Sequence, residues 1–524
     1  MKAFLYFLST GLLLALAWPT YGFSPLIFVA FVPLLLIGEK KIKEGKTGFP
    51  FFMSVYFSFL IWNFITTYWL YYSTAFGMLF AILVNSLLMT LVFYIYSKIY
   101  TKLNFLASSS FFICLWLSFE QLHFIWDFSW PWLSLGHVFS ETTSLIQWYE
   151  YSGVFGGSLW VLIVNFTIFK SVLLFKKFKN RSILYRLALR LVLFIGLPIL
   201  ASFLIKPDLK ASSHLETIAL QPNIDPYADK YALTDADIKD LLLELSEPYI
   251  KPGKKQLFLA PETVFASGTQ WSGFEVSQAN YFGNQILIRN PQAEVLYGIS
   301  AYDLIHKESD KTLQSNFLKE GLWYNDFNSA VFQSANSPAE FYHKSKLVVG
   351  VENFPYKGIL QPLMGDIMID LGGTVATKTT QENRDVFNVE ESEAVAPIIC
   401  YESVYGEYVT DYVKNGATLL TIITNDAWWG DTQGHQQHWS YAKLRAIETR
   451  RAVARSANTG ISGFIDRDGS VISQTKYDEK TAVSANVPLY NEMTFYVKYG
   501  NIIPRVAQFL ALFIFLFAVT RRRG

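Results

Sequence analysis

The stretch "PIICYESVYGEY" (397–408) places a cysteine where an apolar run stops and a polar turn begins. A thiol at a strand end, with backbone N–H groups and helix-forming residues after it, sits where thiolate is favoured, and thiolate is the nucleophilic form. The same residue could equally close a core strand as a small buried side chain. The only other cysteine, Cys114, lies inside an apolar run, where a lone thiol behaves as a small hydrophobe. Two such cysteines supply no disulfide framework, so Cys400 has no evident structural partner.

The surroundings of that stretch are of two kinds. Of 524 residues, 51% are hydrophobic and 17% aromatic, too apolar for an ordinary soluble chain of this length. Lysine plus arginine (44) nearly cancels aspartate plus glutamate (43), which excludes a global basic field for nucleic acid. A membrane span needs roughly 20 mostly apolar residues. By that measure the sequence predicts eight spans, at 3–20, 24–38, 50–72, 76–97, 105–125, 155–175, 187–205 and 502–519. The first also has the short basic start and apolar core of a signal peptide, but a second apolar run follows at once and no small-x-small cleavage pattern is present.

Basic residues cluster at Lys2 and in "EKKIKEGK" (39–46), "SKIYTK" (97–102), "KKFKNR" (176–181) and the terminal "RRRG". Each cluster falls at a cytoplasmic end if the chain starts inside and crosses at every span. The loop 126–153 carries Asp127, Glu141 and Glu150 without lysine or arginine, and so faces outward. The expected organisation is a membrane domain of about seven helices (1–206), an extracytoplasmic domain (207–498), and a last span with a basic cytoplasmic tail (499–524).

Within 207–498, the runs "ETIALQP", "KQLFLAPE", "EVLYGISAY", "SAVFQS", "VAPIICYE", "TLLTIITND" and "SGFIDRDGSVIS" predict strands. "DADIKDLLLELSEPY", "ESVYGEYVTDYVKNG" and "QQHWSYAKLRAIETRRAVARSA" predict amphipathic helices, with Asp235, Glu402 and Gln437 near their starts. Strands alternating with helices indicate a layered α/β domain. At one strand end, "LAPETVFASG" sets Glu262 where a carboxylate beside a cleft can serve as general base. "EFYHKSKLVVGVENFPY" offers Lys344, Lys346 and Glu352 beside another apolar stretch. Taken singly, each of these charged residues reads more simply as solvated surface.

In this order and at these spacings, a strand-end glutamate, a lysine after Tyr342 and a cysteine followed by Tyr401 and Glu402 resemble the Glu-Lys-Cys constellation of the nitrilase superfamily. The segment 424–460, "TNDAWWGDTQGHQQHWSYAKLRAIETRRAVARSANTG", looks like the one that follows the nucleophile in the membrane-bound branch. With spans on both sides, the chain resembles the apolipoprotein N-acyltransferase family of that superfamily. The resemblance implies a multi-span α-helical membrane domain plus an extracytoplasmic α/β domain of nitrilase type, an αββα sandwich. It implies Glu262 as general base, Cys400 as nucleophile, and Lys344 rather than Lys346 as the ammonium, since Tyr342 and Leu347 fix the register. Glu352 and Glu402 match the family's supporting glutamates, and the Tyr401 N–H with Lys344 would form an oxyanion hole. Tyr231, Trp428, Trp429 and His438 are expected at the substrate pocket.

The resemblance further implies transfer of an acyl chain from a phospholipid, phosphatidylethanolamine, to the amine of a diacylated apolipoprotein through a thioester. It implies the bacterial inner membrane, a periplasmic catalytic domain, a monomer, and no metal or organic cofactor. The sequence departs from the family where "LVPFGE" reads "LVVGVE" (347–352), where Gln-Gly-Asn reads "QPN" (221–223), and at Tyr231 in place of tryptophan. A pocket between spans and domain would admit acyl chains from the bilayer, and the aromatic run 123–139 suits an interface. Three alternatives are a tethered amidase with water as acceptor, a transporter with an extracytoplasmic domain, and a cysteine–histidine hydrolase using His435 or His438. Eight spans exceed what a tether needs, and the spans hold few ionisable residues for a transport path, Glu120 being the clearest.

Overall fold

The computed structural model describes residues 2–205, 210–226, 233–364 and 376–520. Its contacts divide the chain into two units, one formed by Met1–Tyr71, Ala75–Pro207 and Tyr499–Gly524, the other by Tyr72–Thr74 and Asp208–Lys498.

In the first unit, six helices among the described residues are long and apolar enough to cross a membrane: Phe49–Tyr72, Ala75–Lys102, Phe105–Ile125, Tyr149–Phe178, Arg181–Leu204 and Ile502–Thr520. A shorter apolar helix, Lys2–Ala17, precedes them. The second expected span is broken: a 3-10 turn, Ser24–Phe28, is followed by the separate helix Val32–Lys43. Pro25 and Pro33 are the second residues of these two pieces, in the first turn, where a missing N–H costs least. A break among apolar helices leaves backbone groups that only protein can satisfy. Asn165 supplies both partners: its Oδ1 accepts from the Phe31 N–H at 2.9 Å and its Nδ2 donates to the Ile27 carbonyl at 2.8 Å. Thr10 Oγ1 accepts from the Leu34 N–H at 3.0 Å.

The aromatic run 123–139 also departs from an interfacial belt. It turns inward through the 3-10 segments Pro131–Leu133 and Leu135–Phe139, and both segments are buried throughout. Glu120 Oε1 receives the Leu135 N–H at 2.8 Å and the Trp116 indole N–H at 3.0 Å, so the clearest ionisable residue of the expected spans holds a fold of the chain.

Among its described residues the second unit has fourteen strands: β1 (Ser213–Gln221), β2 (Gln256–Leu259), β3 (Phe265–Gln270), β4 (Ala293–Ile305), β5 (Asn316–Lys319), β6 (Leu322–Ser334), β7 (Ser337–His343), β8 (Phe387–Glu390), β9 (Glu393–Ile399), β10 (Leu419–Thr424), β11 (Ala452–Ala457), β12 (Gly463–Ile465), β13 (Val471–Gln474) and β14 (Thr481–Leu489). One sheet runs β14-β1-β2-β4-β6-β5, with β3 on β4 and β7 on β6; the other runs β13-β12-β11-β10-β9-β8. β1, β2 and β4 pair in parallel, as do β9, β10 and β11. Parallel strands covered on both faces read as unbroken apolar runs; every residue of β9 and β10 is buried. Helices Asp235–Ser246 and Gln278–Arg289 pack on the first sheet, Gly406–Lys414 and Gln433–Thr449 on the second, and β1 lies against β11. The layers are therefore helix, sheet, sheet, helix, as the nitrilase-type reading requires.

Local chemistry sets the element ends. A capping box between Thr234 and Asp237 starts the helix Asp235–Ser246. Thr432, not a residue near Gln437, caps the helix Gln433–Thr449, its hydroxyl accepting from the Gly434 N–H. That helix does not extend through "RRAVARSA": Arg450 turns left-handed at φ +50° and 452–457 becomes β11, because a fully buried central strand position overrides helix propensity. "SGFIDRDGSVIS" likewise forms two strands, β12 and β13, around a turn rather than one.

Replacing Asn165 with leucine should strand two buried backbone groups at about 1–3 kcal/mol each. The detergent-solubilised variant is expected to unfold several degrees below the unmodified protein; an unchanged melting temperature would remove Asn165 as the clamp of the broken segment.

Candidate active site

Four chain segments that leave strand ends meet in the second unit. Glu262 follows β2, Lys344 follows β7 directly, Cys400 follows β9 directly, and Asn425 follows β10 directly. All four residues are buried. Lys344 Nζ donates to Glu262 Oε1 at 2.8 Å and to Glu352 Oε1 at 2.9 Å. Asn328, in the middle of β6, bridges the same two carboxylates with its amide, at 2.8 Å to Glu262 and 2.9 Å to Glu352. The other oxygens accept backbone N–H groups, Glu262 Oε2 from Asn425 at 3.2 Å and Glu352 Oε2 from Val348 at 2.9 Å.

One ammonium thus serves two carboxylates, the buried Glu262 and the partly exposed Glu352. Burial works against the charged Lys344, but Glu262, Glu352 and Cys400 outweigh it and hold its pKa well above the ordinary lysine value. Burial also opposes the charge on Glu352, yet Lys344 and the hydrogen bonds from Val348 and Asn328 keep its pKa below normal. Cys400 is driven the other way: burial first, then the Glu262 carboxylate, raise its thiol well above the usual range despite the opposing pull of Lys344. That direction runs against the expectation that the position of Cys400 favours thiolate. The element after Cys400 explains part of this, since it is a 3-10 turn, Cys400–Val404, and the α-helix starts only at Gly406.

Backbone geometry at the site is tight. Cys400 has φ +49° and Thr263, next to Glu262, has φ +43°, both in the left-handed region that non-glycine residues seldom occupy. Opposite Glu262, a Cβ on Gly298 of β4 would fall 2.4 Å from the Thr263 nitrogen and 2.6 Å from the Glu262 Cα. Glycine is required there because the turn carrying Glu262 rests on bare backbone.

Glu402 does not touch Lys344. Its buried carboxylate instead ties chain segments together, Oε1 accepting from the Ser345 N–H at 2.7 Å and from the Tyr342 and Tyr408 hydroxyls at 2.8 and 2.7 Å. Oε2 accepts from the Ile399 N–H at 2.9 Å. It therefore couples the residue before Cys400 to the residue after Lys344. Despite the altered "LVVGVE" sequence, Glu352 reaches the lysine.

The expected pocket residues are distributed differently. Tyr231 lies outside the described residues. Trp428 and Trp429 are partly exposed, but His438 is buried behind Cys400, bonded to Asp426 at 3.0 Å rather than facing a pocket. A recess beside Glu262 is lined by Ile224, Ile238, Thr263, Val264, Asn425 and Asn458 among others, and none of Trp428, Trp429 and His438 lines it. His435, the other candidate histidine, stacks on Tyr477 at 4.2 Å. Among the described residues no group of three or more His, Cys, Asp or Glu side chains could hold a metal ion.

Sequence reasoning missed Asn328, Gly298, Asp426 and Arg455. Asp426 and Arg455 carried a readable signal, because a charge in or beside a short apolar run such as "TLLTIITND" or "AVARSA" needs a buried partner. Asn328 sits in a strand pattern that its polarity does not disturb.

Residues 10–167 match the family model described as "Apolipoprotein N-acyltransferase N-terminal domain", and residues 304–491 match "Carbon-nitrogen hydrolase". The chain is 27% identical to the apolipoprotein N-acyltransferase of Chlorobaculum tepidum, across 100% of this chain and 97% of that protein. It is 26% identical to the protein of that name from Geobacter metallireducens, across 96% and 92%, and 25% identical to that of Haemophilus influenzae, across 95% and 92%. With six membrane-length apolar helices, these full-length matches make the chain a multi-pass membrane protein.

Gly298→Ala should move Glu262 and lower turnover by about 100-fold, the order of loss from an ångström-scale misplacement of a reacting group. Native turnover in a folded G298A protein would show that the turn has room. Alkylation of Cys400 by iodoacetamide is expected to keep rising about tenfold per pH unit beyond pH 9, because a raised pKa keeps the thiolate fraction small and still growing there. A plateau below pH 8 would mean a low-pKa thiolate instead.

Proposed function

We propose, for a chain that belongs to the apolipoprotein N-acyltransferase family and is an N-acyltransferase enzyme, that Cys400 carries the acyl group as a thioester between a phospholipid and an apolipoprotein amine. The observation that carries this reading is the convergence of Glu262, Lys344 and Glu352 within electrostatic reach of a buried thiol. Moving an acyl chain from an ester to an amine is easier in two steps through a covalent intermediate.

In the first step Glu262 takes the thiol proton as Sγ attacks the ester carbonyl carbon. The carbonyl electrons move to oxygen, and Lys344 with the Tyr401 N–H stabilises that oxyanion. The carbon–oxygen bond then breaks, and Glu262 returns its proton to the departing lipid alcohol, leaving a thioester and a lysophospholipid. In the second step the α-amine of an S-diacylglyceryl-cysteine attacks the thioester, Glu262 accepts the amine proton, and the carbon–sulfur bond breaks. The thiolate recovers its proton from Glu262, so no net proton is gained or lost by the site over the cycle.

The proton moves between two groups in one buried cluster, so its net charge stays constant while the negative charge shifts from carboxylate to oxyanion. That constancy is why a raised thiol pKa suits the chemistry: a standing thiolate beside two carboxylates would place three negative charges around a single ammonium. Phosphatidylethanolamine is the proposed donor and a diacylated apolipoprotein the acceptor. The distribution of lysine and arginine among the short loops supports a catalytic unit on the periplasmic side of the inner membrane.

Mixing the purified protein with phospholipid bearing a labelled acyl chain and a diacylated lipopeptide should give an N-acylated lipopeptide. Glu262→Gln should slow transfer by about 100- to 10,000-fold, the usual contribution of a positioned general base. Release of label only as free fatty acid, together with hydrolysis of small amides, would favour the tethered amidase.

A further inference from the structure

Behind Cys400 lies a buried polar cluster that the steps above do not use. Asp426 accepts from Arg455 Nη2 at 2.6 Å, from the Thr424 hydroxyl at 2.9 Å, and faces His438 Nδ1 at 3.0 Å. Burial opposes the charge on Asp426, but Arg455 and then His438 outweigh it and hold the carboxyl well below its usual range. Asp426, His438 and Arg455 are all buried. Such a cluster has one orientation, because every alternative leaves a buried charge without its partner.

Arg455 Nη2 also lies 3.0 Å from His438 Nδ1 and can only donate there, which places the imidazole N–H on Nε2, the side that faces the Cys400 backbone. His438 Nε2 lies 3.3 Å from the Cys400 carbonyl oxygen and 3.0 Å from Ser403 Oγ, and the Ser403 hydroxyl donates to that same carbonyl at 2.7 Å. The Cys400 carbonyl belongs to the peptide unit whose N–H is that of Tyr401. A trans peptide is planar, with its C=O and N–H pointing in opposite directions. Whatever holds the carbonyl from behind therefore aims the Tyr401 N–H forward.

We propose that His438, oriented by Asp426 and Arg455, is a positioning residue that aims the Tyr401 N–H as oxyanion donor. The inference rests on the reading of Cys400 as nucleophile and of the Tyr401 N–H as oxyanion donor. It explains why the residue carrying the nucleophile tolerates φ +49°: the peptide on its C-terminal side is clamped by His438 and Ser403, and Glu402 holds the N–H of the preceding Ile399.

Two reactions of the same thiol separate this role from general support. Acyl transfer passes through an oxyanion; alkylation by iodoacetamide displaces iodide directly and forms none. His438→Leu should lower the acylation rate of Cys400 by about 100- to 1,000-fold, the order of loss for one oxyanion donor, with KM for phospholipid unchanged. Its iodoacetamide rate should stay within about threefold of the unmodified protein. His438→Gln, which keeps an N–H donor for the carbonyl, should recover at least tenfold of the lost rate. Equal loss in both reactions, no loss in either, or glutamine no better than leucine would each overturn the proposal. Absence of any acyl adduct on Cys400 in the unmodified protein would instead overturn the nucleophile reading on which it stands.

Discussion

The sharing of one buried ammonium by two carboxylates, Glu262 buried and Glu352 largely so, is the constraint on which the site depends. Lys344 without both Glu262 and Glu352 would be an uncompensated interior charge, and either carboxylate without Lys344 would be another. The pairing also fixes the chemistry. With two acids and one base in place, a neutral thiol is the only form of Cys400 that adds no further negative charge. In the proposed mechanism Cys400 is therefore deprotonated as it reacts, and Glu262 is the carboxylate that takes the proton. Asn328 keeps the two acids in register from β6, and the Asn425 N–H holds the second Glu262 oxygen from the end of β10.

The αββα architecture brings those groups together. The parallel centres of the two sheets bring the ends of β2, β9 and β10 together, and Lys344 joins them from the end of the antiparallel β7. Tightness at this junction is visible in two left-handed residues and in a glycine that no Cβ could replace without displacing the turn of the base. Strain of this kind persists only where surrounding contacts over-determine the backbone. Here Glu402 supplies several of them, joining the end of β9 to the segment after Lys344.

Much of this was legible in the sequence because the candidate site residues stood at or near places where apolar runs stopped. Glu262, Lys344, Glu352 and Cys400 could be picked out from strand ends and from their order, and the structure gathers them. The alternation of runs also gave the layered α/β class. Positions that depend on partners distant in sequence were not legible: Gly298 is needed only because the turn after β2 lies on it, and Asn165 only because a break near Pro33 must be satisfied from another helix. "RRAVARSA" read as helix because alanine and arginine favour it, but burial at the centre of a sheet decided otherwise. The burial of His438 against the Cys400 carbonyl, at 3.3 Å, likewise depends on partners distant in sequence and was not legible.

The most direct test of this account is to incubate the protein with phospholipid alone and analyse the Cys400 peptide by mass spectrometry. The account predicts a hydroxylamine-sensitive fatty acyl group on Cys400 that is lost to the amine of an added diacylated lipopeptide and is absent from Cys400→Ala. Acylation of the lipopeptide without any adduct on Cys400 at any time point would contradict it, and would make transfer a direct step in which the buried thiol has another task.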